Sequence, residues 1–137
     1  MAVPTGWEVE LAESGGRVTL HMAFGGLPNN RSDFGGHAMQ SLSPGRAFIA
    51  FLEYDQKDAN TGLYKHQGLP SFVPSDFSPD RLQRYTPGQS GAQRFFSVSN
   101  RAFCCYVVLS REHATTTDIG RINQAIAGVQ VESFAVE

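Results

Sequence analysis

Residues 93–109, QRFFSVSNRAFCCYVVL, contain the densest run of β-branched and aromatic side chains in the chain. Residues of these types are enriched in β-strands. The polar triplet Ser99-Asn100-Arg101 interrupts the run near its middle, as a turn would. The pattern therefore predicts two strands folded back on each other. Since successive side chains of a strand point to opposite faces, apolar residues on both faces of the second strand place this hairpin at the centre of the core.

The only two cysteines, Cys104 and Cys105, are adjacent within this run. Neighbouring side chains of a strand point apart, so the two sulfurs are poorly placed to bond each other. We therefore expect two buried free thiols that pack as small apolar groups. A domain without disulfides is typical of a reducing compartment, which favours a cytoplasmic location. The alternative is an exported domain that lacks its leader.

Three further strands are predicted before this hairpin. Residues 8–11 alternate apolar side chains with glutamates, and residues 17–24 show the cleanest alternation in the chain. Alternation is typical of a strand with one buried face, and the tight connection Ser14-Gly15-Gly16 joins the two segments into a β-hairpin. Residues 46–54 are apolar on both faces, which predicts a central strand that is covered on both sides.

The end of the chain has the pattern of a helix. Ile119, Ile122 and Ile126 recur at helical spacing behind capping side chains at residues 115–118. Gly128 ends this helix, and residues 129–134 predict a last strand. A helical turn at residues 37–42 and a brief strand at residues 81–85 are also expected.

These elements define one fold class. The 137 residues are enough for one domain with a real core, spanning residues 1–137. We predict an α+β domain in which an antiparallel sheet of five to seven strands has a C-terminal helix packed on one face and long irregular loops.

The longest irregular segment, residues 55–89, contains apolar candidates for a binding surface. Since structureless loops of this length are uncommon inside a compact domain, we expect part of it to pack over the sheet. Phe72, Val73 and Phe77 lie there in polar surroundings. If exposed, they form a patch suited to a protein or a small apolar ligand. The alternative is that they fold back and cover one face of the sheet.

Arginine is the only charged residue type between positions 81 and 111. Such a strip suits an acidic partner, although scattered charges on a solvated face fit the pattern as well. The candidate partner-binding residues are Phe72, Val73, Phe77, Arg81 and Arg84.

No recognisable catalytic or metal-binding constellation is present. The four histidines are scattered singly, whereas zinc requires three or four converging ligands. Glu53 and Asp55 share a face at a strand end. Paired carboxylates can act in acid–base catalysis, but two acids at the end of a strand are usually solvent-exposed charges that favour solubility. The glycine pairs lack the pattern of a phosphate-binding loop. We therefore predict a protein that is not an enzyme and uses no metal and no cofactor.

Charge and hydropathy argue against two classes of partner. The net charge of −2 gives no general attraction to nucleic acid. The aromatic residues mixed with arginine fit core packing better than base stacking. The sequence contains no run of some 18 apolar residues, so direct membrane insertion is not predicted.

Three short segments carry a resemblance to known domains. Residues 3–7 (VPTGW), 101–109 (RAFCCYVVL) and 122–132 (INQAIAGVQVE) together resemble small uncharacterised domains of actinobacteria. The Pro4-Thr5-Gly6-Trp7 start and the closing Ser133-Phe134 resemble, more distantly, the PsbP-like fold, in which a Pro-Gly-Trp start and a Ser-Phe after the C-terminal helix recur. The resemblance implies a binding or assembly module and brings no catalytic residues.

Two functions follow as hypotheses. The first is a module that is not an enzyme and contacts a protein partner, or a second copy of itself, through its long loops. The alternative is a small-molecule-binding domain with a pocket between the sheet and the loop at residues 55–89.

Overall fold

The computed structural model describes residues 3–14, 17–27, 45–83 and 85–132. Within them, five strands form one antiparallel sheet in the order β1-β2-β3-β5-β4. The strands are β1 (Trp7–Ser14), β2 (Arg17–Phe24), β3 (Ala47–Glu53), β4 (Ser90–Val98) and β5 (Arg101–Leu109). One α-helix, α1 (Thr116–Ala127), follows them. The α+β class is confirmed, and five strands is the lower end of the predicted range.

The predicted central hairpin is formed by β4 and β5. Its two-residue turn consists of Ser99 and Asn100, which have φ angles of 54° and 60°. Positive φ at both central residues matches the twist of the flanking strands. β5 pairs on its other side with β3, and every residue of β3 is buried. The prediction that residues 46–54 contain a central, doubly covered strand is confirmed.

The two faces of the sheet are covered differently. We call the side that packs against α1 the helix face. Its core is formed by apolar residues of the helix, the strands and the loop, including Met22, Ile49, Phe51, Phe96, Phe103, Val107, Leu109, Ile119, Ile122, Ile126, Phe72 and Phe77. The opposite face has a smaller cluster formed by Ala23, Phe48, Ala50, Leu52, Tyr106 and Val108. Cys104 and Cys105 lie on opposite faces, as the strand period requires.

Helix α1 begins where side chains of its first turn cap the main chain. The Thr115 hydroxyl accepts a hydrogen bond from the Asp118 N–H, and Asp118 Oδ2 accepts one from the Thr115 N–H. This reciprocal pair is a capping box. Gly128 ends the helix, as predicted. Residues 129–132 have no regular structure, so the predicted last strand is wrong there, and residues 133 and 134 lie outside the described part.

The loop at residues 55–89 is a chain of single turns. Short 3-10 segments occupy Gln56–Asp58, Gly62–Tyr64, Pro74–Asp76 and Pro79–Arg81. The predicted strand at residues 81–85 is wrong over 81–83, because the 3-10 turn that starts at Pro79 takes up Arg81, whose N–H donates to the Ser78 carbonyl. The predicted helical turn at residues 37–42 lies outside the described residues.

Candidate functional site

Phe72 and Phe77 are buried, with exposed fractions of 2% and 8%. Their rings contact each other at 5.7 Å between centroids and belong to the core of the helix face. Asn123 of α1 holds the main chain there, since its Nδ2 donates to the Phe72 carbonyl at 2.9 Å and its Oδ1 accepts from the Phe72 N–H at 2.8 Å. These two side chains cover one face of the sheet, which is the second of the two alternatives from sequence, and they do not form an exposed patch.

The other candidate partner-binding residues have separate positions. Val73 is 54% exposed and Arg81 is also at the surface. Arg84 lies outside the described residues. The structure therefore leaves Val73 and Arg81 accessible out of the five candidates, and it does not join them to Phe72 and Phe77 in one surface.

The remaining arginines of the predicted strip are paired with carboxylates. Arg94 contacts Asp76, Arg101 contacts Glu53, and Arg111 contacts Asp118 at 3.2 Å. Each arginine therefore compensates a carboxylate within the fold. The pairs join separate segments of the chain, and they do not form one basic face.

Asp76 organises the loop beside β4. Its Oδ2 accepts from the Val73 N–H at 2.8 Å, and its Oδ1 accepts from Nη2 of Arg94. The Asp76 carbonyl accepts from Nη1 of Arg81. One aspartate thus holds two guanidinium groups near each other. The Arg94 guanidinium also lies over the Phe72 ring, 5.5 Å from its centroid.

A polar cleft opens between β4 and this loop, in the place where the sequence predicted a small-molecule pocket. We call it the arginine cleft. It has a volume of about 550 Å³ and is lined by Asp80, Arg81, Leu82, Gln83, Gln93 and Arg94. Pockets for small molecules usually have volumes of this order. Of these six residues, Arg81 alone was a candidate from sequence, because the others are ordinary surface residues until the loop folds onto β4.

The floor of the arginine cleft includes main-chain groups of the outer edge of β4. Alternate residues of a strand direct their N–H and C=O groups to the same side. Gly91 exchanges two hydrogen bonds with Ser78, and Ser97 bonds the main chain at His66 and Gly68. Between them, the outward N–H and C=O of Gln93 and Phe95 have no hydrogen-bond partner in the described part of the chain. Gln93 also lines the cleft, so its main chain adds a donor and an acceptor there.

Residues 81–83 form one wall of the arginine cleft, and they pack closely against β4. A Cβ at Gly91 would lie 2.9 Å from Leu82 Cδ2 and 3.3 Å from the Arg81 carbonyl oxygen, so the loop approaches β4 more closely than any larger residue allows. The Gln83 N–H donates to the Tyr106 hydroxyl at 2.7 Å. Burial raises the pKa of Tyr106.

A second cleft lies on the helix face near β1. We call it the apolar cleft. It has a volume of about 240 Å³ and is lined by Leu11, Val18, Leu20, Phe51, Arg101, Phe103 and residues 129–132. Its walls are mainly hydrocarbon, with a single guanidinium at the rim.

The guanidinium beside the apolar cleft belongs to a buried ion pair. Arg101 donates from Nε and Nη2 to both carboxylate oxygens of Glu53 at 2.6 Å, and from Nη1 to the Glu132 carbonyl at 3.2 Å. The hydrogen bonds to Glu53 raise the pKa of Arg101. Glu53 is thus buried, and the interpretation that it makes a strand end soluble is corrected. Asp55 instead contacts the exposed Arg17 at 3.5 Å.

The two thiols have the environment of core residues. Both are free and buried. Burial raises the pKa of Cys104 to about 12 and that of Cys105 well above its ordinary value. Since the thiolate is the reactive form, neither group is activated as a nucleophile.

Two further properties concern metals and membranes. Among residues 3–14, 17–27, 45–83 and 85–132, no three histidine, cysteine or acidic side chains converge as metal ligands. The helix within these ranges is too short and too polar to cross a membrane.

Comparison with known proteins adds no family assignment. No protein-family model, curated protein or solved structure matches the chain. The resemblance to actinobacterial domains and to the PsbP-like fold therefore stays a prediction.

Proposed function

We propose that this domain binds a small polar molecule that carries an anionic group, and that the arginine cleft is its site. The observation that carries the proposal is the convergence of two guanidinium groups, Arg81 and Arg94, with the outward main chain of Gln93 around about 550 Å³. This is the small-molecule alternative that the sequence left open.

The two guanidinium groups retain donors for a ligand. Each arginine carries five N–H donors in a fixed planar arrangement. Arg81 and Arg94 each donate to Asp76 from one nitrogen, and the described residues provide no hydrogen-bond acceptor for the other N–H groups. Guanidinium groups bind carboxylates and phosphates through paired, charge-assisted hydrogen bonds. A carboxylate or phosphate group is therefore the fitting anchor.

The rest of the lining favours a polar ligand of modest size. Asp80 can accept from an amine or hydroxyl, and Gln83 and Gln93 can donate or accept. Leu82 is the single hydrocarbon side chain among the described residues of the lining, and it gives little surface for an apolar molecule. The Gln93 main chain suits an amide or another group with both a donor and an acceptor.

A protein partner that docks on the loop has less support. The two phenylalanines that would anchor such a partner are in the core, where Asn123 and Arg94 contact Phe72. Val73 and Arg81 alone offer a small contact area, and interfaces depend on a few well-packed anchors.

Thermal denaturation with a compound panel tests the proposal. Simple carboxylates, amino acids, nucleotides and inorganic phosphate are added in turn, and hits are measured by calorimetric titration. A ligand that binds only the native state at 100 times its Kd stabilises it by about 2.7 kcal/mol. We expect at least one anionic compound to raise the Tm of the natural protein by several degrees.

The matched variants are Arg81→Gln and Arg17→Gln. Both arginines are exposed, and each contacts one aspartate, but Arg17 pairs with Asp55 far from the arginine cleft. Arg81→Gln should abolish the shift while Arg17→Gln preserves it. The proposal is refuted if no anionic compound shifts the Tm, or if the shift survives in Arg81→Gln.

A further inference from the structure

The outer edge of β1 pairs with no segment among the described residues. Glu8 of β1 lies opposite Ala23 of β2, and the Gly25 N–H donates to the Gly6 carbonyl at 2.9 Å. The even-numbered residues of β1 therefore direct their main-chain groups toward β2. Because inward and outward main-chain groups alternate along a strand, Val9, Leu11 and Glu13 direct theirs away from β2. None of these six groups has a hydrogen-bond partner within the part of the chain that the structure describes.

An unpaired strand edge of this length is unusual in a folded protein. Edge strands offer a template for another strand, and proteins usually shorten, bend or cover them. β1 spans eight residues without interruption. The side chain of Leu11 is 64% exposed at its middle, and it lies on the helix face beside the apolar cleft.

Two of the three acids of β1, Glu8 and Glu10, do not block this edge. Oε1 of Glu8 accepts from the Leu27 N–H at 3.0 Å, and Glu10 contacts Nδ1 of His21 at 3.4 Å. Both carboxylates are thus engaged by residues on the β2 side of the strand. They also belong to the face of the sheet opposite Leu11, because side chains alternate.

We propose that β1 pairs with β1 of a second copy, antiparallel, in a register that places Leu11 opposite Leu11. This register makes the outward groups of Val9, Leu11 and Glu13 meet the same outward groups of the second copy, as a hydrogen-bonded ladder requires. It joins two five-stranded sheets into one of ten strands with both helices on the same side.

The sequence of β1 is self-complementary in this register. Glu10 faces the second copy's Ala12, Glu8 faces its Ser14, and Val9 faces its Glu13. Every glutamate therefore lies opposite an uncharged residue, and like charges directly opposite each other destabilise a strand pair.

Other symmetric registers fit less well. A shift in one direction places Glu10 opposite Glu10. A shift in the other direction places Leu11 opposite Glu13 and leaves Val9 without a partner. Odd shifts set outward main-chain groups against inward ones. A two-fold contact uses the same patch of both copies, and the register centred on Leu11 satisfies that condition over residues 8–14.

Site-specific oxidation tests both the contact and its register. In the proposed dimer, Cα atoms of an opposed hydrogen-bonded pair lie about 5.5 Å apart, within the range of a disulfide. Leu11→Cys should therefore give a covalent dimer across the two-fold axis. Glu13→Cys is the matched control, because its copies lie about 14 Å apart at 3.4 Å per residue, too far to bond. The natural cysteines are buried and do not interfere.

Sedimentation velocity completes the experiment. We expect the natural chain to form a dimer whose fraction rises with concentration, and Leu11→Lys to be monomeric with an unchanged circular dichroism spectrum. The disulfide yield of Leu11→Cys should exceed that of Glu13→Cys by about tenfold, given the steep distance limit of the bond. A monomer at every concentration, a dimer that persists in Leu11→Lys, or equal yields from the two cysteine variants would each overturn the proposal.

Discussion

The two edges of the sheet differ in how their main chain is covered. At β4, Ser78 and residues 66–68 bond the strand at its two ends and leave the gap at Gln93 and Phe95. At β1, no described segment lies along the outer edge of the strand, where Val9, Leu11 and Glu13 present a continuous row of main-chain groups. Partial cover at one edge makes a cleft of molecular size, whereas an open edge makes a surface for another strand.

The cover of β4 depends on anchors far from the edge itself. Phe72 and Phe77 enter the core of the helix face, and Asn123 of the helix holds the Phe72 main chain. The arginine cleft is thus connected to the main core, whereas the exposed side chain of Leu11 and the outward main chain of β1 take no part in it. Changes in the loop should therefore affect stability and the cleft together, and changes at Leu11 should affect association alone.

Phe72→Ala should have the largest effect. Truncating a buried phenylalanine typically costs about 3–5 kcal/mol of unfolding free energy, and Phe72 is 2% exposed. Val73→Ala is the matched control at the next position, where the exposed side chain should change the free energy by less than about 0.5 kcal/mol. Urea unfolding measures both. Equal effects of the two variants would contradict the anchoring role of Phe72.

Gly91→Ala should have an intermediate effect that is confined to the β4 edge. The added methyl group would meet Leu82 at 2.9 Å, and overpacking of this kind costs about 1–3 kcal/mol. Gly120→Ala is the control, because a Cβ there meets open space and the residue lies inside α1. That change should stabilise the protein by about 0.5–1 kcal/mol. If Gly91→Ala were neutral, the close approach of loop and strand would be refuted.

The last prediction concerns the pH dependence of stability at the centre of the sheet, which both edges share. Since the folded pKa of Cys104 is about 12 and the ordinary value is 9.0, the unfolded chain loses this proton first as the pH rises. The stability that this thiol contributes is complete below pH 9 and is lost progressively toward pH 12. Cys104→Ala should therefore show a shallower fall in unfolding free energy between pH 8 and 11. An identical slope in the two proteins would argue against burial of the thiol.

Local patterns predicted most of the regular elements. The alternation in residues 17–24 and the doubly apolar residues 46–54 predicted β2 and β3, and the threonines before Asp118 predicted the start of α1. These patterns report the period and the caps of one element, which depend on neighbours in the chain. The last strand failed over residues 129–132, because the carbonyls there accept from side chains, Val131 from the Ser99 hydroxyl and Glu132 from Nη1 of Arg101, and not from a neighbouring strand.

The candidate site was harder to predict, because its residues have no local signature. Gln83 and Gln93 are ordinary polar residues in sequence. They are ten positions apart, and nothing in the sequence indicates that they line the same cleft. Arg94 and Arg101 counted as members of one basic strip, yet each is neutralised by a carboxylate 18 or 48 positions away. Long-range pairing of charges leaves no trace in a local window of sequence.

The sequence alone determined where the strands and the helix lie and that residues 93–109 form the central hairpin, because side-chain period and turn residues act over a few positions. Only the tertiary structure decided the burial of Phe72 and Phe77, the arginine pairs, the clefts and which edge stays open. Each of these depends on which distant segments meet, and that choice is made by the packing free energy of the whole core.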